Sequence, residues 1–166
     1  LAEARSRGVT TFLDECWGLG PSRESFERAL PHCDYALPSC DDLAAIYPGL
    51  QVEGMAAHLL ALGAGTAVLK RGAEGCLVAR GDLRLAVPAL PARVVDTTGA
   101  GDSWDAGFIA GLAHGEDLAT AARMGAAAAA FCIESVGGGG GVPGYAAVRS
   151  RMAAGDSLSG PGPGPR

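Results

Sequence analysis

The chain has 166 residues, enough for one ordinary domain with a real core. Its formal charge of −5, with no basic run and no basic–aromatic interleaving, excludes nucleic acid as an expected partner. Nearly half of it is apolar (48%), largely alanine, and only 5% is aromatic, the composition of helices packed closely on a sheet.

Leu1-Ala2-Glu3-Ala4-Arg5 reads as a charged helical stretch without a secretory pattern. Val9 to Leu13 reads as a buried strand, followed by a loop through Trp17–Pro21 and a short helix capped by Ser22 and ending near Leu30. Tyr35 to Leu37 is the next strand, and Asp41 to Tyr47 a brief helix stopped by Pro48-Gly49. Val52, Met55, Leu59 and Leu62 recur at helical spacing over Gln51–Leu62, up to Gly63. Thr66 to Leu69 is β-rich without alternation, the pattern of a central parallel strand. Gly75–Arg80 and Leu83–Val87 flank Gly81-Asp82, a hairpin signal. Arg93-Val94-Val95 reads as a short strand. A helix then runs to Ala113, before a stop at His114-Gly115.

A second helix spans about Asp117–Glu134, followed by five glycines at 137–141 and a last helix near Tyr145–Met152. Residues 153–166, rich in Gly, Ser and Pro, are expected to be a disordered tail after a domain portion at 1–152. Strands alternating with helices imply an α/β fold with a mostly parallel sheet covered on both faces. The alanine-rich stretch Leu118–Val136 carries Arg123 and Glu134, so a buried helix is expected there and not a membrane span. Five cysteines, odd in number and without C-x-x-C pairing, fit neither a disulfide framework nor a zinc site; a reducing, cytoplasmic setting is expected. His32, His58 and His114 are scattered and are expected at the surface or at helix ends.

The segment Asp96-Thr97-Thr98-Gly99-Ala100-Gly101-Asp102-Ser103-Trp104-Asp105-Ala106-Gly107 carries the most chemistry. It turns an extended stretch into a helix through two glycines, which leaves unpaired N–H groups at the positive end of the macrodipole. Glycine lets a bulky anion approach that backbone, and Asp102 falls in the first helical turn beside it. An anion pocket with an adjacent carboxylate fits phosphoryl transfer to a hydroxyl, with Asp102 receiving the proton. An acidic residue there also serves simply to complement the dipole. A Walker loop is excluded, because no Gly-Lys-Ser/Thr occurs. A dinucleotide fingerprint is excluded by Trp104 at the third glycine position.

The whole segment through Phe108 closely resembles the C-terminal signature of the ribokinase-like carbohydrate kinases, the PfkB family. Further stretches resemble the family in order: Gly8–Asp14, Asp34–Asp42, Val68–Cys76, and Ala126–Pro143. The resemblance implies a ribokinase-like three-layer α/β/α fold, of which this chain is the ATP-side, C-terminal portion. The N-terminal half, with most sugar contacts and the small β-sheet lid, is expected to be missing. It implies Asp102 as catalytic base, with Gly99, Ala100 and Gly101 supplying amides to the transferring phosphoryl. Lys70, Gly72, Gly75, Thr98, Gly99, Gly101 and Ala126 are implied to lie along ATP, although Lys70 read alone is equally a solvated surface charge.

Ser39 and Asp42 stand where the family has Asn and Glu, so the resemblance implies a magnesium role for Asp42. Ser-x-x-Asp read alone is close to a helix capping box. Asp96, Thr98 and Gly137 are implied near a monovalent-cation site, with potassium the expected ion. Read alone, the glycine run is a connector that loses much entropy on ordering. The resemblance thus implies ATP-dependent phosphorylation of a sugar hydroxyl, with ATP, Mg2+ and K+, a small-molecule partner, no membrane, and a possible homodimer through the lid at full length. Two alternatives stand beside it: a nucleoside kinase, and a truncated nucleotide-binding fragment without turnover.

Overall fold

The computed structural model describes residues 1–15 and 23–158, which group into two compact units, Leu1–Val87 and Pro88–Arg166. The expected Trp17–Pro21 loop, the Ser22 cap and Cys16 lie outside the described residues.

The first unit is built on a sheet of β1 (Phe12–Leu13), β2 (Tyr35–Ala36), β3 (Ala67–Lys70), β4 (Cys76–Arg80) and β5 (Leu83–Val87), in that order. β1, β2 and β3 pair parallel, and β4 pairs antiparallel with both β3 and β5. All but β4 therefore run one way. β3 is the central strand and all four of its residues are buried, in keeping with its lack of alternation. The hairpin register Arg80↔Leu83 leaves Gly81-Asp82 as the turn, with Gly81 at φ +53, a left-handed value that glycine adopts without strain.

The helices of this unit are α1 (Ala2–Ser6), α2 (Arg23–Ala29), α3 (Cys40–Ile46) and α4 (Val52–Ala61). Phe26, Leu43, Met55 and Leu59 from α2, α3 and α4 pack with Ala67 and Leu69 of β3 and Leu77 and Ala79 of β4. These strand residues share one face because side chains alternate across a pleat, and each large side chain so buried contributes about 1.5–3 kcal/mol. Val68 and Val78, on the other face, are also fully buried.

β1 is shorter than the expected Val9–Leu13. The Thr11 amide and hydroxyl bond to the Asp34 carboxylate (2.9 and 3.0 Å), so a side chain stands in for the ladder, and Val9 is 56% exposed.

The second unit contains α5 (Ala100–Ala113), α6 (Leu118–Cys132) and α7 (Tyr145–Leu158). Asp117 caps α6 by accepting from the Thr120 amide at 2.7 Å. α5 and α6 lie unusually close because glycines face the partner helix at the crossing. A Cβ on Gly111 would stand 2.9 Å from Ala121 Cα, and one on Gly125 would stand 2.7 Å from the Trp104 ring. α7 adds Val148 and Met152 to a core with Met124, Ala127 and Ala128 of α6.

Two expectations are corrected in this unit. Arg93–Val95 is not a strand: Val94 and Val95 are 63% and 45% exposed, and the amides of Val95 and Asp96 both donate to the Ile133 carbonyl (2.7 and 3.2 Å). The end of α6, with no strand alongside among the described residues, takes up those donors. α7 also runs on from Met152 to Leu158, because Met152 is buried and Gly155 lies against Leu90, so the stretch just after residue 152 is helical. Residues 159–166 lie outside the described residues.

α7 is tied down by Arg151, which donates to both Glu134 oxygens (2.7 and 2.9 Å) and lies over the Phe131 ring at 4.5 Å. With the Arg93 amide as a second donor, Arg151 holds the Glu134 carboxyl down at about 2. A carboxyl lowered in the fold adds stability above its unfolded value near 4.3 and loses it as the pH falls toward 2. Urea midpoints of wild type and Arg151→Met should therefore differ most near neutrality and converge as the pH falls from about 4.5 to 2. A gap independent of pH would show that Arg151 acts only through its ring contact and its bond to the Pro91 carbonyl.

None of the described helices is long and apolar enough to cross a membrane. Cys33, Cys40, Cys76 and Cys132 are all free thiols.

Candidate active site

α5 begins without a side-chain cap. Its N-cap is Gly99, at φ +73 and ψ +8, a left-handed conformation that any other residue adopts under strain. A Cβ at Gly99 would also stand 3.1 Å from Gly138 Cα, so both backbone angle and space require glycine. The Ala100 amide donates to the Thr97 carbonyl at 3.1 Å, closing the turn. That N–H, expected to face an anion, is already committed. The amides of Gly99, Gly101 and Asp102 have no protein acceptor among the described residues. They stand at the positive end of a 14-residue helix, with the Asp102 side chain exposed beside them.

The glycine run is folded against this turn and is not a loose connector. Asp96 accepts from the Thr98 amide through one carboxylate oxygen (2.9 Å) and from the Gly137 amide through the other (3.0 Å), and these bonds hold its carboxyl below the usual range. Gly137 and Gly138 have φ +99 and +70, and Gly138–Gly141 form a 3-10 turn. The Cys132 thiol donates to the Thr98 carbonyl at 3.3 Å from behind. Asp96, Thr98, Gly99 and Gly137 are thus brought together, while Ala126 is buried within α6.

Trp104 fills the place of a third fingerprint glycine, stacking on Phe108 with centroids 5.3 Å apart. The close approach is supplied instead from α6, where Gly125 faces the indole.

In the first unit, the carboxyl ends of β1, β2 and β3 gather a second polar group. Ser39 bridges to Lys70 in parallel register, and Lys70, only 9% exposed, places its ammonium 2.9 Å from Asp14 Oδ2. Lys70 is therefore a buried, paired cation and not a surface charge. Ser39 caps α3: it accepts from the Asp42 amide at 3.0 Å and donates its hydroxyl to Asp42 Oδ2 at 2.5 Å. Glu15 is nearly buried, and desolvation, then the charges of Asp14 and Asp42, push its carboxyl above the usual range. Gly72 and Gly75 (φ +55 and +85) bracket a 3-10 turn just past β3. Sequence reading passed over the pairing role of Asp14 and the burial of Glu15. Their place straight after the β1 run, where open α/β sheets present their polar ends, was the available signal.

Fold and site together define an α/β protein with a glycine-built, uncapped helix N-terminus beside an exposed carboxylate. The chain belongs to the pfkB family of carbohydrate kinases, whose model matches residues 2–144. It is 33% identical over 126 residues to an uncharacterized sugar kinase of Archaeoglobus fulgidus, covering 76% of this chain and 48% of that protein. It is 36% identical over 117 residues to a nucleoside kinase of Methanothermobacter thermautotrophicus, covering 70% of this chain and 37% of the relative. Arabidopsis thaliana ribokinase, solved with ribose and ATP, superposes with a TM-score of 0.77 at 27% identity, over 91% of this chain and 50% of that one. The fold is thus ribokinase-like, and the chain spans about half or less of the length of these relatives.

Proposed function

We propose that the chain takes part in ATP-dependent phosphorylation of a sugar hydroxyl, as the ATP-side portion of a PfkB kinase domain. The observation that carries this reading is the start of α5, where a left-handed glycine replaces the side-chain cap and leaves amides open beside an exposed carboxylate. α6, by contrast, caps itself with Asp117. In the reading, the amides of Gly99 and Gly101 bind the transferring phosphoryl, with Ala100 holding the turn in shape. Asp102 accepts the proton of the attacking hydroxyl. Little covalent work is needed, because transfer through a loose transition state depends mainly on positioning and charge stabilisation.

Lys70, Gly72, Gly75, Thr98 and Ala126 are proposed as nucleotide-binding residues. Asp42 is proposed to hold magnesium. Its second carboxylate oxygen fits that ion, which is commonly held by one or two carboxylates together with substrate phosphates and water. When bound, magnesium neutralises charge on the phosphates. A monovalent cation is proposed at Asp96, Thr98 and Gly137, a reading supported by the carboxylate of Asp96 lying against the Thr98 and Gly137 backbone. A cytoplasmic location and, for the whole protein, a homodimer complete the proposal.

A nucleoside acceptor is a second reading, favoured by the nucleoside kinase among the relatives. A calorimetric ATP titration, followed by an ADP-release assay over a panel of sugars and nucleosides with magnesium and potassium, tests both readings. ADP release with one acceptor class supports the corresponding kinase. ATP binding without turnover supports the nucleotide-binding fragment, and absence of ATP binding removes the proposal.

A further inference from the structure

The first unit has a cleft of about 480 Å³ at the edge opposite the strand ends that carry Asp14, Ser39 and Lys70. It opens at the amino ends of β1, β2 and β3 and is lined by Arg5, Asp34, Tyr35, Gly65, Thr66 and Arg80, among others. Its size falls within the roughly 300–1,000 Å³ of small-ligand sites. Arg80 is held in place for binding. Its Nε donates to Oγ1 of the fully buried Thr66 at 2.7 Å, and its guanidinium lies 5.3 Å from the Tyr35 ring centroid. No partner among the described residues takes the two terminal nitrogens of Arg80. Arg5 stands by the same cleft, with Nη1 donating to the Pro31 carbonyl at 2.6 Å.

Asp34 is the carboxylate in the lining. Its Oδ2 accepts from the Thr11 amide and hydroxyl, and its Oδ1 lies 3.5 Å from Arg5 Nε, so much of its charge is already met. Two cations against this one satisfied anion leave the cleft net positive on a chain of charge −5.

We infer that this cleft is a second ligand site, for a phosphate monoester, with the Arg80 fork as its main contact and Arg5 as a supporting charge. A planar guanidinium with two open nitrogens matches two phosphate oxygens, and its fixed orientation spares the entropy of ordering a free arginine. The site shares no residue with the kinase reading, so each stands or falls without the other.

The test is an amide NMR titration of the 166-residue chain at constant ionic strength, with inorganic phosphate in one arm and glycerol 3-phosphate in the other. Saturable shifts at Gly8, Tyr35, Gly65 and Thr66 are expected in both arms, with tighter binding of the ester if its organic part also reads the cleft. Arg80→Gln should weaken binding about tenfold or more, the loss of a charge-assisted bond pair, and Arg80→Lys should fall between. Both variants should keep the wild-type amide spectrum away from the cleft, since Arg80 is exposed at a hairpin end. Shifts that do not saturate, or an affinity unchanged in Arg80→Gln, would overturn the inference. Binding that maps instead to Gly99 and Gly101 would do the same, and would return phosphate recognition to the α5 turn.

Discussion

Asp102→Asn should lower phosphoryl-transfer turnover by about 10²–10⁴ while ATP still binds, the loss expected of a general base. The reason is local. Asp102 lies exposed in the first turn of α5, and its side chain makes no hydrogen bond among the described residues; the turn is closed by Ala100 on Thr97 and by Ser103 on Gly99. Asparagine keeps the size of the side chain and removes only its capacity to take a proton, so the substitution separates chemistry from shape. ATP affinity from calorimetry and ADP release from a coupled assay give the two readouts. An equal fall in both would make Asp102 a binding residue. An unchanged rate would remove it from the reaction, while retained ATP binding would leave the amide turn as a nucleotide site.

The second large effect concerns stability. Gly107→Ala should lower the unfolding free energy by about 3 kcal/mol, the upper end of ordinary overpacking costs. Helix propensity alone predicts the opposite sign, since alanine is favoured over glycine inside a helix by up to about 1 kcal/mol. Packing wins. A Cβ at Gly107 would stand 2.6 Å from the Met124 carbonyl oxygen, 2.8 Å from Ala128 Cβ and 3.0 Å from Gly125 Cα. Two of these are backbone atoms, so relief requires the two helices to part. Gly144→Ala is the control: nothing lies within 4 Å of its added Cβ, and only the weaker N-cap preference of alanine at the start of α7 counts against it, so a loss of at most about 1 kcal/mol is expected. Urea unfolding of both variants checks the pair. Stability unchanged or raised in Gly107→Ala would mean that α5 and α6 slide apart at little cost.

Much of the fold was legible because local signals agreed with the final packing. The helix ending at Ala113, the Asp117 start of α6, the Gly81-Asp82 hairpin and the buried run of β3 all carry caps, turn residues or periodicity of their own. Arg93–Val95 failed for the opposite reason. β-branched residues favour an extended backbone, but a strand also needs a neighbour, and here the donors of Val95 and Asp96 go to the end of α6. α7 outran its expected end because the burial of Met152 and the contact of Gly155 with Leu90 outweigh a composition that reads as loop.

The site divides in the same way. Gly99, Gly101 and Asp102 are close in the chain, so their shared position at a helix start follows from spacing alone, and with it the proposal of phosphate chemistry and the family resemblance. Pairings between distant residues were beyond the reach of local rules, and only the family resemblance had put Asp96 near Gly137. Asp96 with Gly137, Gly99 against Gly138, Lys70 with Asp14, and Trp104 against Gly125 join positions that no local rule connects. Residue order by itself determined which short segments turn, extend or coil, because those choices rest on each residue's own backbone and its near neighbours. Tertiary structure alone decided which charges are paired, which amides stay open and which glycines are indispensable, because those depend on what packing brings within a few ångströms.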